Sequence, residues 1–374
     1  PAHARRGCAR SSAPRRVVPH ASATGPNNSK NFSTWLLKEV SSGQIDADLA
    51  AVLQAISTAS KEISCLVRSA PIDGMTGVAA SSNASGDEQK PLDILANEIF
   101  CAAVSESGRT GIVVSEEEDA PIAVENTDSG DYIVCFDPID GSSNIDACVT
   151  TGSIFAVYSK GECDVDWDDD SEEEIVDKCL TNVRRSGNEL VAAGYCMYSS
   201  STVLMLSVGN GVYGFTLDVG RTGEFVLSHP NLKIPEPGSG GQRIYSGNNA
   251  NVNLWAPELK EYVEQLQDPD LNGGKPYSYR YIGALVGDFH RTLLYGGIWL
   301  YPGDVKAPQG KARLLYEVAP MGMLAEQAGG MATWGEKAQD RVLDVVPESV
   351  HQRSPLFVGS SGEVQRLQEF LATK

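Results

Sequence analysis

The stretch "CFDPIDGSSNID", Cys135 to Asp146, places three aspartates, a proline and a Gly-Ser-Ser turn within twelve residues, directly after the apolar run "DYIV". That run reads as a buried strand. Carboxylates crowded at the end of a strand repel one another and raise each other's pKa. A multivalent cation removes that cost, so the crowding points to a metal. The turn that starts at Gly141 adds backbone N–H groups suited to an anion held beside the cation.

Working outward, the run "TGIVV" reads as a second strand, with "SEEED" at its carboxyl end, so Glu116 and Glu117 join Asp137 and Asp140. Acidic clusters at the carboxyl ends of successive strands mark where open α/β sheets place their sites. Asp87 and Asp93 flank a loop–helix junction, and Glu317 sits within the otherwise apolar "LLYEVAP". Any one of these alone reads as a solvated surface acid; together they read as a ligand set. Hard oxygen donors suit magnesium or manganese rather than zinc. Two metals bridged by carboxylates would serve in-line phosphoryl transfer to water.

Other chemistries fit less well. Ser142 and Ser143 lack a G-x-S-x-G elbow and an evident histidine partner. His290, in "GDFHRTL", falls on an apolar helix face and reads as structural. There is no G-x-G-x-x-G motif and no Walker lysine motif, which argues against nucleotide cofactors. No stretch resembles an EF-hand loop, so a calcium-binding module is disfavoured.

The chain of 374 residues is long enough for two domains, and its net charge of −19 disfavours general binding to nucleic acid or anionic membranes. Leu190 to Leu217 carries no charge, but Gly, Ser and Asn interrupt it, so buried antiparallel strands fit better than a membrane span. The eight cysteines show no CxxC or zinc spacing. Residues 1–30 contain five arginines and no acid, the composition of a transit-peptide remnant preceding a fold that starts near Asn31.

Periodicity predicts a helix over 46–69 stopped before Pro71, a polar loop over 72–90 and a helix from Pro91. An acidic insertion follows over 161–188, then a strand meander over 190–228. Beyond 229 helices and strands alternate: "ALVGDFHRTLLYGG" and "MGMLAEQAGG" read as helices, "RVLDVV" and "PLFVGS" as strands, "EVQRLQEFL" as a terminal helix. A boundary near 228 would separate a metal-carrying domain (31–228) from a substrate-binding domain (229–374).

The blocks "FDPIDGSSNID", "SEEED", "YRYIGALVGDFHRTLLYGGIWLYP" and "GKARLLYEVAPMGMLAEQAGG" resemble class I fructose-1,6-bisphosphatase from about Asn31 to the C-terminus. The related sedoheptulose-1,7-bisphosphatase is the alternative; it usually lacks the uninterrupted "DPIDGSSNID". The resemblance implies an αβαβα layered α/β fold, a homotetramer, and hydrolysis of the 1-phosphate of fructose 1,6-bisphosphate. It implies magnesium ligands (manganese being the substitute) at Glu116, Glu117, Asp137, Asp140 and Glu317, with the carbonyl of Ile139. It makes Asp93 the acid that activates water with Glu117, and adds Asp93 itself to the metal shell. Asp87 would lie on a loop closing on the site, and Arg313 would act beside the reacting phosphate. Asp140, Gly141, Ser142 and Ser143 would hold the 1-phosphate. Asn248, Tyr281, Tyr301 and Lys311 would contact the rest of the substrate, and Arg280 would come from a neighbouring subunit.

Two departures stand out. The family's "N-E-G" is "NNAN" here, Asn248 to Asn251, with Val252 in place of a tyrosine. The Lys-Tyr pair of AMP-inhibited relatives is Asp131-Tyr132, and an aspartate would repel a phosphate, so AMP inhibition is expected to be weak. Between Glu162 and Asp177 lie ten acidic residues and no basic one, bracketed by Cys163 and Cys179. Chloroplast bisphosphatases carry an inserted loop here whose disulfide thioredoxin reduces, commonly with a third cysteine where this chain has Arg184. The resemblance therefore implies a regulatory Cys163–Cys179 bridge in an enzyme of the chloroplast stroma, serving the Calvin cycle and starch synthesis.

Overall fold

The computed structural model describes residues 31–77, 89–124, 132–159 and 170–374. Its first sheet has eight strands: β1 (Thr110–Ser115), β2 (Ile122–Ala123), β3 (Tyr132–Asp140), β4 (Thr151–Tyr158), β5 (Leu190–Tyr198), β6 (Thr202–Ser207), β7 (Val212–Leu217) and β8 (Phe225–Leu232). They run in the order β2-β1-β3-β4-β5-β6-β7-β8. Only β1 and β3 pair in parallel; the other neighbours are antiparallel.

The uncharged run from Leu190 to Leu217 forms β5, β6 and β7, and it carries no charge because both faces of the sheet are covered there. Along β5 and β6, Ala192, Cys196, Tyr198, Leu204 and Leu206 enter one core; Ala193, Tyr195, Val203 and Met205 enter another. Period-two alternation thus places apolar side chains on both faces, and the sequence shows a continuous run rather than an alternating one. No described helix is long and apolar enough to cross a membrane.

Helices α1 (Phe32–Ser42), α2 (Ala47–Asp73) and α3 (Pro91–Glu106) cover the first face. On the opposite face, the part from β1 to β4 carries α4 (Glu172–Val183), which lies within the expected acidic insertion. Asn31 and Asp46 cap α1 and α2 by accepting the N–H groups of Thr34 and Leu49. Contrary to expectation, α2 continues through Pro71 to Asp73. Only two residues follow the proline before Gly74 ends the helix in left-handed geometry at φ 71°, so the ring costs one bond in a fraying turn.

The second sheet runs β10-β9-β11-β16-β13-β14. It comprises β9 (Ile244–Ser246), β10 (Ser278–Tyr279), β11 (Ile298–Tyr301), β13 (Met331–Trp334), β14 (Asp340–Arg341) and β16 (Leu356–Gly359), while β12 (Ala312–Arg313) and β15 (Arg353–Ser354) pair apart. Between the sheets lie α6 (Leu285–Tyr295) and α7 (Ala319–Gln327); outside the second lie α5 (Pro257–Gln267) and α8 (Ser361–Ala372). The layers are therefore αβαβα, as the sequence led one to expect. The strand expected over "RVLDVV" is a correction: only Asp340 and Arg341 pair, and Val342–Asp344 is a 3₁₀ turn. The Arg341–Asp344 ion pair at 2.6 Å spans three residues, the spacing such a turn aligns, and Val342 and Leu343 are buried between the sheets.

Gly194, at the middle of β5, shows how tightly the sheet is covered. A Cβ there would stand 2.4 Å from the Phe155 ring and 2.5 Å from the Met205 carbonyl oxygen. Gly194→Ala is expected to destabilise the protein by about 1–3 kcal/mol through overpacking. Urea unfolding checks this, and a midpoint equal to the parent's would show that the sheet relaxes around the methyl group.

Candidate active site

One cleft of about 300 Å³ opens between the end of the first sheet and the elements that follow Tyr281. Its lining includes Asp93, Glu116, Glu117, Asp137 and Asp140 on one side and Tyr281, Tyr301, Lys311, Arg313 and Glu317 on the other. Ile139, Gly141, Ser142 and Ser143 complete the floor.

Parallel pairing of β1 with β3 sets the first acids side by side. The Glu116 N–H extends the ladder by donating to Phe136 O at 3.1 Å. Ser115 Oγ accepts the Glu117 N–H at 3.2 Å, and Gln89 Nε2 donates to Glu117 Oε2 at 2.5 Å. Asp137 Oδ1 accepts the Ile139 N–H at 2.9 Å. Asp140 is held from across the cleft: its two oxygens accept the N–H groups of Leu285 and Val286, at 3.1 and 2.7 Å, at the start of α6. A carboxylate at the unsatisfied N–H groups of a helix start is favourable for both partners.

Glu317 comes from a π-helical turn, Leu314–Val318, immediately before α7. Its Oε2 accepts the Arg313 N–H at 2.5 Å, while Arg313 Nη2 pairs with Glu116 Oε1 at 2.7 Å. A second link joins the same two regions. His351 Nε2 lies 3.0 Å from the Glu118 carbonyl oxygen, which can only accept, so this nitrogen carries the proton. Its Nδ1 then accepts from the Tyr316 hydroxyl at 2.8 Å.

Asp137, Asp140 and Glu317 are buried and bring one oxygen each within 4.8 Å of one another, a grouping that could hold a metal ion. Burial first, then repulsion from Glu116, Glu317 and Asp140, pushes the Asp137 carboxyl well above the usual range. Burial likewise pushes Asp140 and Glu317 up to about 7, against the N–H donors of Val286 and Leu285 for one and Arg313 for the other. Asp93 also rises to about 7, mainly by burial, although its Oδ2 accepts the Lys90 N–H at 2.8 Å. Its Oδ1 is buried and has no hydrogen-bond partner among the described residues.

The turn at Gly141 admits only glycine: φ is 77°, and a Cβ would stand 2.6 Å from that of Ala284. The 3₁₀ turn Ser142–Ala147 follows at once.

Comparison with known families matches both halves of the chain. The model for the fructose-1,6-bisphosphatase N-terminal domain covers residues 33–230, and that for the C-terminal domain covers 239–372. The chain belongs to the fructose-1,6-bisphosphatase family. It is 51% identical to the chloroplastic fructose-1,6-bisphosphatase of Triticum aestivum, over 96% of this chain and 87% of that one. It is 53% identical to fructose-1,6-bisphosphatase 1, chloroplastic, of Arabidopsis thaliana, over 92% and 81%. Among solved structures, fructose-1,6-bisphosphatase of Leishmania major in holo form superposes with a TM-score of 0.82 at 41% identity, covering 91% of this chain and 98% of that one.

In this fructose-1,6-bisphosphatase family member most of the residues singled out in the sequence meet in the cleft. Asn248, half-buried ahead of a 3₁₀ turn, and the exposed Arg280 are not among its lining residues. Asp87, Asp131 and Cys163 lie outside the described residues. His290 is structural as expected: its Nδ1 lies 2.8 Å from the Tyr195 hydroxyl, and burial lowers its pKa to about 4. Sequence reasoning missed Gln89, Trp299 and the N–H groups of α6; the backbone donors leave no residue-type signal.

The elevated carboxyl groups fix the sign of a stability effect. Asp93, Asp140 and Glu317 stand near 7 in the folded protein, above the ordinary value of about 4. Their contribution is fully present below pH about 4 and is lost as pH rises through 7. With chelator present, the melting temperature is expected to fall between pH 5 and 8, and Asp137→Asn to melt a few degrees above the parent at pH 8. A lower melting temperature for Asp137→Asn under chelation would show that repulsion is not what the cluster stores.

Proposed function

We propose that this protein hydrolyses the 1-phosphate of fructose 1,6-bisphosphate, giving fructose 6-phosphate and inorganic phosphate. The convergence of six buried or half-buried carboxylates, Asp93, Glu116, Glu117, Asp137, Asp140 and Glu317, beside the Gly141 turn, in one cleft, carries the reading. The donor set fits divalent magnesium, with manganese as substitute: hard oxygens of Asp137, Asp140 and Glu317 within reach of one another, and a buried Asp93 oxygen with no partner among the described residues. Glu116, Glu117 and the Ile139 carbonyl would complete the shell. When bound, such cations offset the repulsion of the carboxylates and polarise the phosphate.

The chain's own residues supply the rest. Asp140, Gly141, Ser142 and Ser143 hold the 1-phosphate, with the glycine keeping the turn close to Ala284. Asp93, with Glu117, takes the proton from the attacking water. As the water oxygen bonds to phosphorus, the bond from phosphorus to the sugar O1 breaks and its electron pair leaves on that oxygen, which is then protonated. Arg313, held between Glu116 and Glu317, faces the developing charge. Tyr281, Tyr301, Lys311 and Asn248 hold the remainder of the sugar phosphate. Arg280 is lent to the neighbouring subunit of a homotetramer, and the resemblance assigns a role in the same reaction to Asp87, which lies outside the described residues.

Redox control fits the same architecture. Cys179 of α4 is buried in one core cluster with Ile112 and Val114 of β1 and Ile133 and Cys135 of β3, the strands that deliver the acids, and with Leu315 and Tyr316 beside Glu317. A bridge from Cys179 to Cys163 would therefore act on the backs of those strands. Thioredoxin reduction in the chloroplast stroma, within the Calvin cycle and starch synthesis, is the setting this reading assigns.

Side-by-side assay of phosphate release from fructose 1,6-bisphosphate and sedoheptulose 1,7-bisphosphate tests the activity. A clear preference for the six-carbon substrate is expected, and equal or higher kcat/KM for the seven-carbon sugar overturns it. Glu117→Gln is expected to lose about 10²–10⁴-fold in rate while remaining folded; retention of more than a tenth of the parent rate would remove its assigned role. Millimolar AMP is expected to leave the rate nearly unchanged. Cys163→Ser and Cys179→Ser are each expected to be active without reductant, whereas a parent-like need for dithiol in either one would sink the switch.

A further inference from the structure

Asp288 is a fully buried carboxylate in the first turn of α6, and none of the chemistry above uses it. Burying a charge costs several kcal/mol unless it is paired and hydrogen-bonded. Here the pairing is extensive. Asp288 Oδ1 accepts the Ser246 hydroxyl at 2.9 Å and forms an ion pair with Arg291 Nη2 at 2.8 Å. The Ile282 N–H is shared between both carboxylate oxygens at 3.1 and 3.0 Å, and the Gly283 N–H reaches Oδ2 at 3.0 Å.

The Ser246, Ile282 and Gly283 donors come from two segments, of which the one at Tyr281 and Gly283 lines the cleft. Ile282 and Gly283 directly follow Tyr281, and Ser246 ends β9 two residues before Asn248. The same segments are tied again nearby: the Arg280 N–H donates to Tyr245 O at 3.1 Å, and the Tyr279 hydroxyl to Gly247 O at 2.8 Å. Tyr281 is thus pinned on one side through Arg280 and on the other by Asp288. The scissile side is held through Asp140, which takes the N–H groups of Leu285 and Val286, three and two residues earlier in the same first turn.

We infer that Asp288 is a positioning residue for substrate affinity: it clamps the 280–283 segment to the end of β9 and so sets where Tyr281 and Asn248 meet the sugar phosphate away from the scissile bond. The inference rests on the bisphosphatase reading of the cleft. The carboxylate charge matters as well as its shape. In Asp288→Asn one oxygen becomes an NH₂ group, which must face either the N–H groups of Ile282 and Gly283 or the Ser246 and Arg291 donors. In either orientation donors oppose donors and part of the clamp opens.

The experiment compares Asp288→Asn with the parent on fructose 1,6-bisphosphate and on fructose 1-phosphate, which lacks the distal phosphate. Product binding (fructose 6-phosphate) and manganese affinity are measured by calorimetry. For the bisphosphate, KM is expected to rise about tenfold while kcat changes less than threefold, because a misplaced contact wall weakens binding more than chemistry. The loss in kcat/KM is expected to shrink to less than twofold for fructose 1-phosphate. Fructose 6-phosphate should bind about tenfold more weakly and manganese as in the parent. A fall in kcat at unchanged KM, an equal loss on both substrates, or parent-like fructose 6-phosphate affinity overturns the assignment. Should Asp288→Asn fail to fold, Ser246→Ala removes one donor alone; a rise of about threefold in KM supports the clamp, and a parent-like KM overturns it. Absence of turnover by the parent protein would count against the bisphosphatase reading itself, a different result from any of these.

Discussion

The structure depends on keeping several carboxylates close together and out of water. Asp137, Asp140 and Glu317 are each buried and crowded within 4.8 Å. Such a group is expensive in an empty protein, and the fold meets the expense with donors drawn from separate layers. Helix α6 offers its first free N–H groups to Asp140, and Arg313 spans Glu116 and Glu317. These contacts lower the repulsion without cancelling it, since the carboxyl groups remain elevated. A site tuned to accept multivalent cations is necessarily one that is uncomfortable without them.

Much of this was legible in the chain. Asp137 and Asp140 were readable because a strand-like run ended in acids, and Glu116 and Glu117 because a second did the same. The uncharged run from Leu190 to Leu217 was readable as strands because its apolar pieces were strand-sized. What could not be read has physical reasons. Glu317 was visible as an acid in an apolar run, but its π turn was not, because residue types do not distinguish one extra residue per turn. "RVLDVV" has strand-like composition, yet Val342 and Leu343 are needed between the layers, and tertiary packing outweighed local propensity. Pro71 sits so late in α2 that its local cost did not decide the boundary.

Contacts between backbone and side chain were the least legible. Asp140 and Asp288 lie 148 residues apart in sequence order but serve the first turn of one helix, Asp140 taking its leading N–H groups and Asp288 fixing the segment that enters it. Neither bond partner has a side-chain signature, so no motif could have announced them. Gly141 was readable as a turn, but the contact that forbids a Cβ there, with Ala284, was not.

A cleft whose two walls belong to different layers also works as a gauge of how those layers are set against each other. Face-to-face layers stand about 10 Å apart, so a rotation of about 5° between them displaces facing atoms by about 1 Å. Displacement of that size can cost on the order of a hundredfold in rate. The turnover of this protein is therefore coupled to layer orientation by geometry alone. A change far from the cleft that turned one layer by a few degrees would alter the rate without touching a single residue of the site.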